Sequence, residues 1–318
     1  MILLADIGGT NVRFATLHAD GRIDGFESWL TALYPNISEA VKAYAEATGA
    51  RLPFEAAAIC AAGPLTGDHI DLTNGGWKIS VGEIAAATGA REPILVNDFA
   101  AVARALPELG AGDLVQIGGG VPLQGAPKVA LGPGTGLGVA SAVADSGGGW
   151  IAMPGEGGHS DLAATNEREI AIVFHLIREH GHVSVERVLS GPGLETLYLA
   201  IASLDGLKLN AKPIAHDIAL AARAGRDAAA VEAVALFTGW LGSVAGNLAL
   251  ILGAQGGVYI AGGIVPQWGD LFDAKLFRRR FEAKGRMRGF LAPIPTYVVT
   301  AKDLAFRGLA EMIRKRSV

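Results

Sequence analysis

The apolar pattern of this chain changes period several times along its length. Met1–Ile7 and Val12–Leu17 are short apolar runs separated by Gly8-Gly9-Thr10-Asn11. Runs of this length, bounded by glycine, predict two strands joined as a hairpin. Ile37–Thr48 is predicted as a helix, Ala56–Ala61 as a strand and Val81–Thr88 as a short helix. Pro93–Asn97 predicts a strand that stops at Asn97-Asp98, before a helix over Ala100–Leu106. Glycine and proline then thicken through Pro107–Pro127, which predicts a crossing between domains. A second glycine hairpin follows at Val129–Ala140. Helices are predicted over Glu167–His180, Gly193–Leu204, Ala215–Ala224, Ala228–Leu252 and Ala274–Lys284, with strands at Val258–Ala261 and Ile294–Thr300. The last helix, Asp303–Lys315, carries Leu304, Leu309, Met312 and Ile313 on one face. Strands alternating with helices predict an α/β fold.

The two hairpins look like copies of one device. Each has an apolar strand, a glycine turn with a threonine, and a second strand. Glycine permits positive φ and close approach of the backbone to a ligand. Successive exposed N–H groups in such a turn form a concavity that binds anions. Two such turns, with Asp6 ending the first strand, suggest a cleft that grips the phosphates of a nucleotide from both sides. The repetition also suggests an ancient duplication, one α/β unit per half, with the ligand between them.

Composition narrows the class. The 318 residues are half apolar and 18% charged, which suits two domains with sizeable cores. A net charge of -4 gives no support for nucleic-acid binding. No basic run exceeds Arg278-Arg279-Arg280, which falls in a predicted helix and is read as a solvated face. Cys60 is the only cysteine, so an intrachain disulfide and a cysteine-rich zinc site are excluded, and Cys60 is read as a buried small side chain. The N-terminus carries no signal-peptide pattern. Leu241–Val265 has no charged residue, but Gly256-Gly257 splits it, so it reads as a buried helix, a turn and a buried strand rather than a membrane span. A soluble, cytoplasmic protein without a membrane partner is expected.

Three clusters can carry chemistry. Asp6 could hold a metal ion directly or through water, or simply cap its glycine turn. Asp98 could be a helix N-cap; it also stands at the carboxyl end of a strand, where α/β sheets bind ligands, and could accept a hydroxyl proton during phosphoryl transfer. In Pro154–Asp161, glycines bracket Glu156 and His159, whose donors and acceptors suit sugar hydroxyls. With no third ligand nearby, a metal site there is disfavoured, as it is at His180-Gly181-His182. Walker-type G-x-x-x-x-G-K-[ST] and G-x-S-x-G motifs are absent, which argues against a P-loop enzyme and a serine hydrolase.

At these residues the chain resembles a known family. Asp6-Ile7-Gly8-Gly9-Thr10-Asn11 is similar to the phosphate-1 motif of the sugar kinase/heat-shock ATPase/actin superfamily, Gly134-Thr135-Gly136-Leu137-Gly138 to its phosphate-2 motif, and Ala261-Gly262-Gly263-Ile264 to its adenosine motif. Leu95–Val102, Pro154–Asp161 and Gly181–Leu194 resemble the bacterial glucokinases, and the resemblance covers essentially the whole chain. It implies a two-domain actin-like ATPase (ribonuclease H-like) fold with a duplicated α/β core and an interdomain cleft. The small domain would be residues 1–108 plus 301–318, the large one 109–300. The implied reaction is ATP-dependent phosphorylation of glucose at its 6-hydroxyl. Asn97, Asp98, Glu156, His159 and Glu186 would contact the sugar, with Asp98 as base. Asp6, Gly8, Gly9, Thr10, Asn11, Gly134, Thr135, Gly136 and Gly138 would serve the phosphates and Gly262 and Gly263 the nucleoside. Mg²⁺ would be held mainly through the phosphates, with no protein metal site and no structural zinc. A homodimer is expected.

Two rival classes remain. One is a kinase for another sugar, such as fructose, mannose or an amino sugar; the block that contains Glu186 argues for glucose, and pocket shape decides specificity. A sugar-responsive regulator on the same fold would need a DNA-binding extension, for which a chain starting directly in its first strand offers no room.

Overall fold

The computed structural model describes residues 1–72 and 76–316; Ser317 and Val318, the end of the expected segment 301–318, lie outside the described residues. The chain divides into two compact units. Unit 1 comprises Met1–Leu109, Gly149–Pro154 and the chain from Ala301 onward; unit 2 comprises Gly110–Gly148 and Gly155–Thr300.

Unit 1 is built around a five-stranded sheet. Its strands are β1 (Ile2–Ile7), β2 (Asn11–Leu17) and β3 (Ile23–Leu30), then β4 (Ala56–Ala61) after helix α1 (Ile37–Thr48). A small sheet of β5 (Leu65–Thr66), β6 (His69–Asp71) and β7 (Lys78–Ser80) leads into α2 (Val81–Thr88). The last sheet strand, β8 (Ile94–Asn97), runs into α3 (Asp98–Ala105). The order is β3-β2-β1-β4-β8, with β2 antiparallel to β1 and β1, β4 and β8 mutually parallel. A strand covered on both faces must be apolar at successive positions, and β1 is. Leu3, Ala5 and Ile7 pack with Phe14, Ile59 and the α1 and α2 side, while Leu4 packs with Ala58, Cys60 and Ala101 on the other face. The period analysis gives no strand at β3, and the reason is visible. None of its residues is fully buried, and it belongs to the sheet by backbone pairing with β2 rather than by burial.

Unit 2 repeats the arrangement. Its strands are β9 (Leu114–Gly118), β10 (Lys128–Pro133) and β11 (Leu137–Ala144); β12 (Trp150–Gly155) falls in unit 1 as far as Pro154, and α4 (Glu167–His180), α5 (Gly191–Leu204), α6 (Ala215–Arg223) and α7 (Ala228–Leu252) follow in unit 2. Then come β13 (Val258–Ile260), α8 (Ile264–Trp268), α9 (Ala274–Glu282), α10 (Arg288–Leu291) and β14 (Thr296–Val299). Within unit 2 the sheet order is β11-β10-β13-β14-β9. As in unit 1, an antiparallel hairpin is continued by two parallel strands: β10 pairs antiparallel with β11 and parallel with β13, and β13 pairs parallel with β14. The core is thus duplicated. The addition is β9, which lies within Pro107–Pro127. That stretch is therefore not connection alone, because Leu114 and Val115 pair with Val299 and Val298 at the sheet edge.

Helix α7 is long and apolar enough to cross a membrane by composition, but most of it is buried in this unit, with Phe237, Trp240, Leu241 and Ala245 in the core. It meets α9 across glycines. A Cβ at Gly242 would lie 2.2 Å from Phe277 O, and one at Gly246 would lie 2.5 Å from Phe281 O. The basic triplet on α9 is corrected by the structure. Only Arg279 is exposed. Arg278 is buried and donates to Ile294 O, Thr296 Oγ1 and Ala292 O, and Arg280 pairs with the fully buried Glu169.

The chain returns to unit 1 as α11 (Leu304–Arg316), which places Ala305, Phe306, Leu309, Ala310 and Ile313 against the face formed by Leu4, Ala58 and Ala101.

Candidate active site

Each unit presents its candidate residues at the end of its sheet where the parallel strands stop. In unit 1, register places Ile7, Ala61 and Asn97 side by side on β1, β4 and β8. Adjacent strands lie about 4.8 Å apart, so the glycine turn after β1 and the Asn97-Asp98 corner after β8 are separated by roughly 10 Å of sheet. The turn is tied internally by Gly8 N–H to Asn11 O at 2.8 Å. Thr31 holds it from outside: its hydroxyl donates to Gly8 O at 2.8 Å and its N–H to Thr10 O at 2.9 Å. Thr31 follows β3, the strand that periodicity misses, so nothing local singles it out.

Asp6 is nearly buried and already partnered. The hairpin register sets Arg13 opposite it, and the Arg13 guanidinium donates to its carboxylate. Cys60 Sγ donates to the other carboxylate oxygen at 3.6 Å. Burial, then the charges of Asp6 and Asp98, push the Cys60 thiol well up, so it remains protonated. Cys60 is buried as expected, and it also supports Asp6.

At the β8 corner the cap is Asn97 rather than Asp98. Asn97 Oδ1 accepts from Phe99 N at 2.9 Å and Ala100 N at 3.2 Å, and Nδ2 donates to Gly63 O at 3.0 Å. Helix α3 therefore begins at Asp98, two residues before the expected start. The Asp98 Oδ1 accepts from Phe99 N at 2.8 Å, and the side chain is half-buried in the first turn of the helix.

In unit 2 the corresponding turn, Gly134-Thr135-Gly136, is closed by Gly134 N–H to Gly136 O at 2.8 Å. Neither Gly134 nor Gly136 has a left-handed φ; at Gly136 glycine is needed for space, because a Cβ would lie 2.5 Å from Glu186 Oε2. That carboxylate accepts from Leu137 N at 2.7 Å. Glu186 sits in a short turn, Val185–Arg187, capped by Ser184, and Ser190 Oγ donates to Glu186 O at 2.9 Å while accepting from Gly193 N at 3.0 Å. Glu156 and His159 flank the Gly157–His159 turn and are exposed. The turn rests on β11: a Cβ at Gly158 would lie 2.3 Å from Leu137 O. Gly262 has a left-handed φ (82°), unlike the glycines of the two hairpin turns, and a Cβ there would lie 2.6 Å from Pro133 O. Unit 2 thus gathers Gly134–Gly138, Gly158, Glu186 and Gly262 around the ends of β10 and β13 and the start of β11. Unit 1 gathers Asp6, Gly8–Asn11, Asn97 and Asp98.

A doubled core of hairpin plus parallel strands, with a glycine turn at the mouth of each hairpin, is the actin-like ATPase fold used by sugar kinases. The family model described as Glucokinase matches residues 3–316, and the chain belongs to the glucokinase family. A glucokinase of Chromobacterium violaceum is 46% identical over 308 residues, which are 97% of this chain and 88% of that protein. A bifunctional protein glk of Burkholderia thailandensis is 44% identical over 315 residues; this chain spans only 48% of its length. Among solved structures, a glucokinase from an Antarctic psychrotroph superimposes with a TM-score of 0.85 at 34% identity, covering 99% of this chain and 98% of that one.

Proposed function

We propose that Asp98 is the general base in ATP-dependent phosphorylation of glucose, the activity that membership of the glucokinase family gives this chain. The observation that carries the assignment is the division of labour after β8. Asn97 caps α3 with its side-chain oxygen, so the helix does not require Asp98 for that purpose. The Asp98 carboxylate, which accepts from Phe99 N, stands at the carboxyl end of a parallel strand, in the same row as the phosphate turn. In this reading the glucose 6-hydroxyl gives its proton to Asp98 as its oxygen bonds to the γ-phosphorus and the bond to the β–γ bridging oxygen breaks, releasing ADP. Asn97, Glu156, His159 and Glu186 bind the sugar. Asp6, Gly8, Gly9, Thr10, Asn11 and the Gly134–Gly138 turn serve the triphosphate, with Gly262 and Gly263 toward the nucleoside. The space kept open at Gly136 and Gly262 suits a ligand that approaches the backbone closely.

A divalent cation would neutralise charge on the transferring phosphates. Asp6 is engaged by Arg13, and no group of three His, Cys, Asp or Glu able to hold a metal occurs among the described residues. Mg²⁺ held through the nucleotide fits that donor set better than a protein cage. The reading places the enzyme in the cytoplasm as a homodimer, and sedimentation of the purified protein tests the assembly.

Asp98→Asn tests the base. The kcat should fall by roughly 10²–10⁴-fold, while glucose still binds, because the amide keeps an acceptor. Retention of more than about a tenth of the kcat would make Asp98 a binding or structural group instead.

A further inference from the structure

Glu186 is read above as a sugar contact, and the inference that follows rests on that reading. The carboxylate also holds part of the phosphate turn. Its Oε2 accepts the Leu137 N–H at 2.7 Å, directly after Gly134-Thr135-Gly136. The same block grips the other end of the turn, where Gly191 N–H donates to Gly134 O at 2.8 Å. Gly136 lacks a Cβ at the one place where a Cβ would meet that oxygen, 2.5 Å away. Gly158, in the turn that carries Glu156 and His159, lies against the carbonyl of the same Leu137. Leu137 is therefore bound on its N–H side by one proposed sugar residue and crowded on its carbonyl side by the turn that presents two others.

We infer that Glu186 is a positioning residue for the phosphate donor as well as a sugar ligand: its carboxylate fixes the Gly134–Gly138 turn, so that filling the sugar site and shaping the phosphate turn depend on one side chain. A hydrogen bond to a charged acceptor is among the stronger bonds a backbone amide makes. Without it, the Leu137 N–H would turn to water and the three-residue turn would be held by Gly191 and its own internal bond. The coupling is reciprocal: whatever moves the carboxylate toward the sugar moves the turn, and whatever moves the turn displaces the carboxylate.

The test uses the full-length protein with a non-hydrolysable ATP analogue and glucose, each titrated alone and with the other present, on Glu186→Ala, Glu186→Gln and Gly136→Ala. Circular dichroism and melting establish that each variant is folded. Glu186→Ala should weaken analogue binding without glucose by roughly tenfold or more. Glu186→Gln keeps an oxygen for Leu137 N–H and should restore analogue binding to within about threefold while glucose KM stays raised, a split that general loosening of the fold would not produce. Gly136→Ala should raise glucose KM, although the position offers no side chain to the sugar. Unchanged analogue binding in Glu186→Ala, or unchanged glucose KM in Gly136→Ala, overturns the positioning role. A Glu186→Ala protein that loses analogue binding yet keeps its glucose KM leaves the turn-holding role standing and sinks the sugar-contact reading instead. Should Glu186→Ala not fold, the Gln and Gly136 variants decide the matter alone.

Discussion

Replacing Gly308 by alanine probes how closely α11 is set into unit 1. A Cβ at this position would stand 1.8 Å from the Ala101 carbonyl oxygen and 2.7 Å from its carbon, both backbone atoms of α3. Real Cβ contacts essentially never fall under 3.0 Å, so α11 must retreat by about 1.2 Å. The retreat opens the contact made by Phe306, Leu309 and Ile313, all buried against the sheet. Each such side chain contributes about 2 kcal/mol by burial, and a gap near 1 Å forfeits a quarter to a half of its dispersion contact. The loss is therefore about 1.5–3 kcal/mol. Alanine returns about 1 kcal/mol of helix propensity. The net effect is about 0.5–2 kcal/mol of destabilisation, overlapping the range for overpacked cores, and a fall in Tm of roughly 1–8 °C. Gly82 is the matched control. It lies in α2, is exposed, and a Cβ there would meet nothing within 4 Å. Gly82→Ala should be neutral or stabilising by up to about 1 kcal/mol. Thermal melts by circular dichroism compare the two. A Gly308→Ala protein that melts at or above the wild type would refute the packing argument and the assignment of α11 as a tightly set part of unit 1.

Glu156→Ala should raise glucose KM at least about tenfold, by loss of a charge-assisted bond worth roughly 1.5–3 kcal/mol, with a smaller change in ATP KM; equal effects on both substrates in steady-state kinetics would make the loop structural. The buried Glu169 is pushed up by burial, but hydrogen bonds from Arg280 and from the Thr165 N–H and hydroxyl outweigh this and hold its carboxyl below the usual value. A depressed carboxyl contributes stability above the unfolded pKa, near 4.3, and that contribution is lost as pH falls through the folded value. Glu169→Gln leaves Arg280 without its buried counter-charge and should cost roughly 3–5 kcal/mol at neutral pH. The Tm difference from wild type should shrink below pH 4; a constant difference from pH 7 to 3 would show that the charge is not what matters. Chelation of divalent cations should abolish phosphoryl transfer and added Mg²⁺ should restore it, whereas full activity in excess chelator would remove the cation from the proposal.

The candidate site was legible where its signal is local. Glycine turns, the strands that feed them and the Asn97-Asp98 corner declare themselves through short apolar runs and residues with special backbone freedom. Cys60 was legible as buried, because Ala56–Ala61 is continuously apolar. Its bond to Asp6 was not, because the pairing of β1 with β4 that brings the two together spans 54 residues. Likewise β3 and β9 escaped notice because edge strands are held by backbone hydrogen bonds, which leave little mark on the pattern of side chains.

By itself the sequence determined the order of elements, the doubled hairpin, the apolar core and the residue types at each corner, since these depend on neighbours a few positions apart. Tertiary structure decided what those residues do. It buried Arg278 and half-buried Arg280 in a triplet that composition marks as surface, because the carbonyls before β14, and Glu169, 111 residues from Arg280, supply what these guanidinium groups need. It moved the capping role from Asp98 to Asn97, and it set Glu186 on the Leu137 amide across 49 residues. It also made Gly308 costly to replace and Gly82 free, although both are glycines in helices. The physical reason is the same in each case: a charge, a cap or an absent methyl acquires its meaning from the atom placed opposite, and chain folding, not local pattern, chooses that atom.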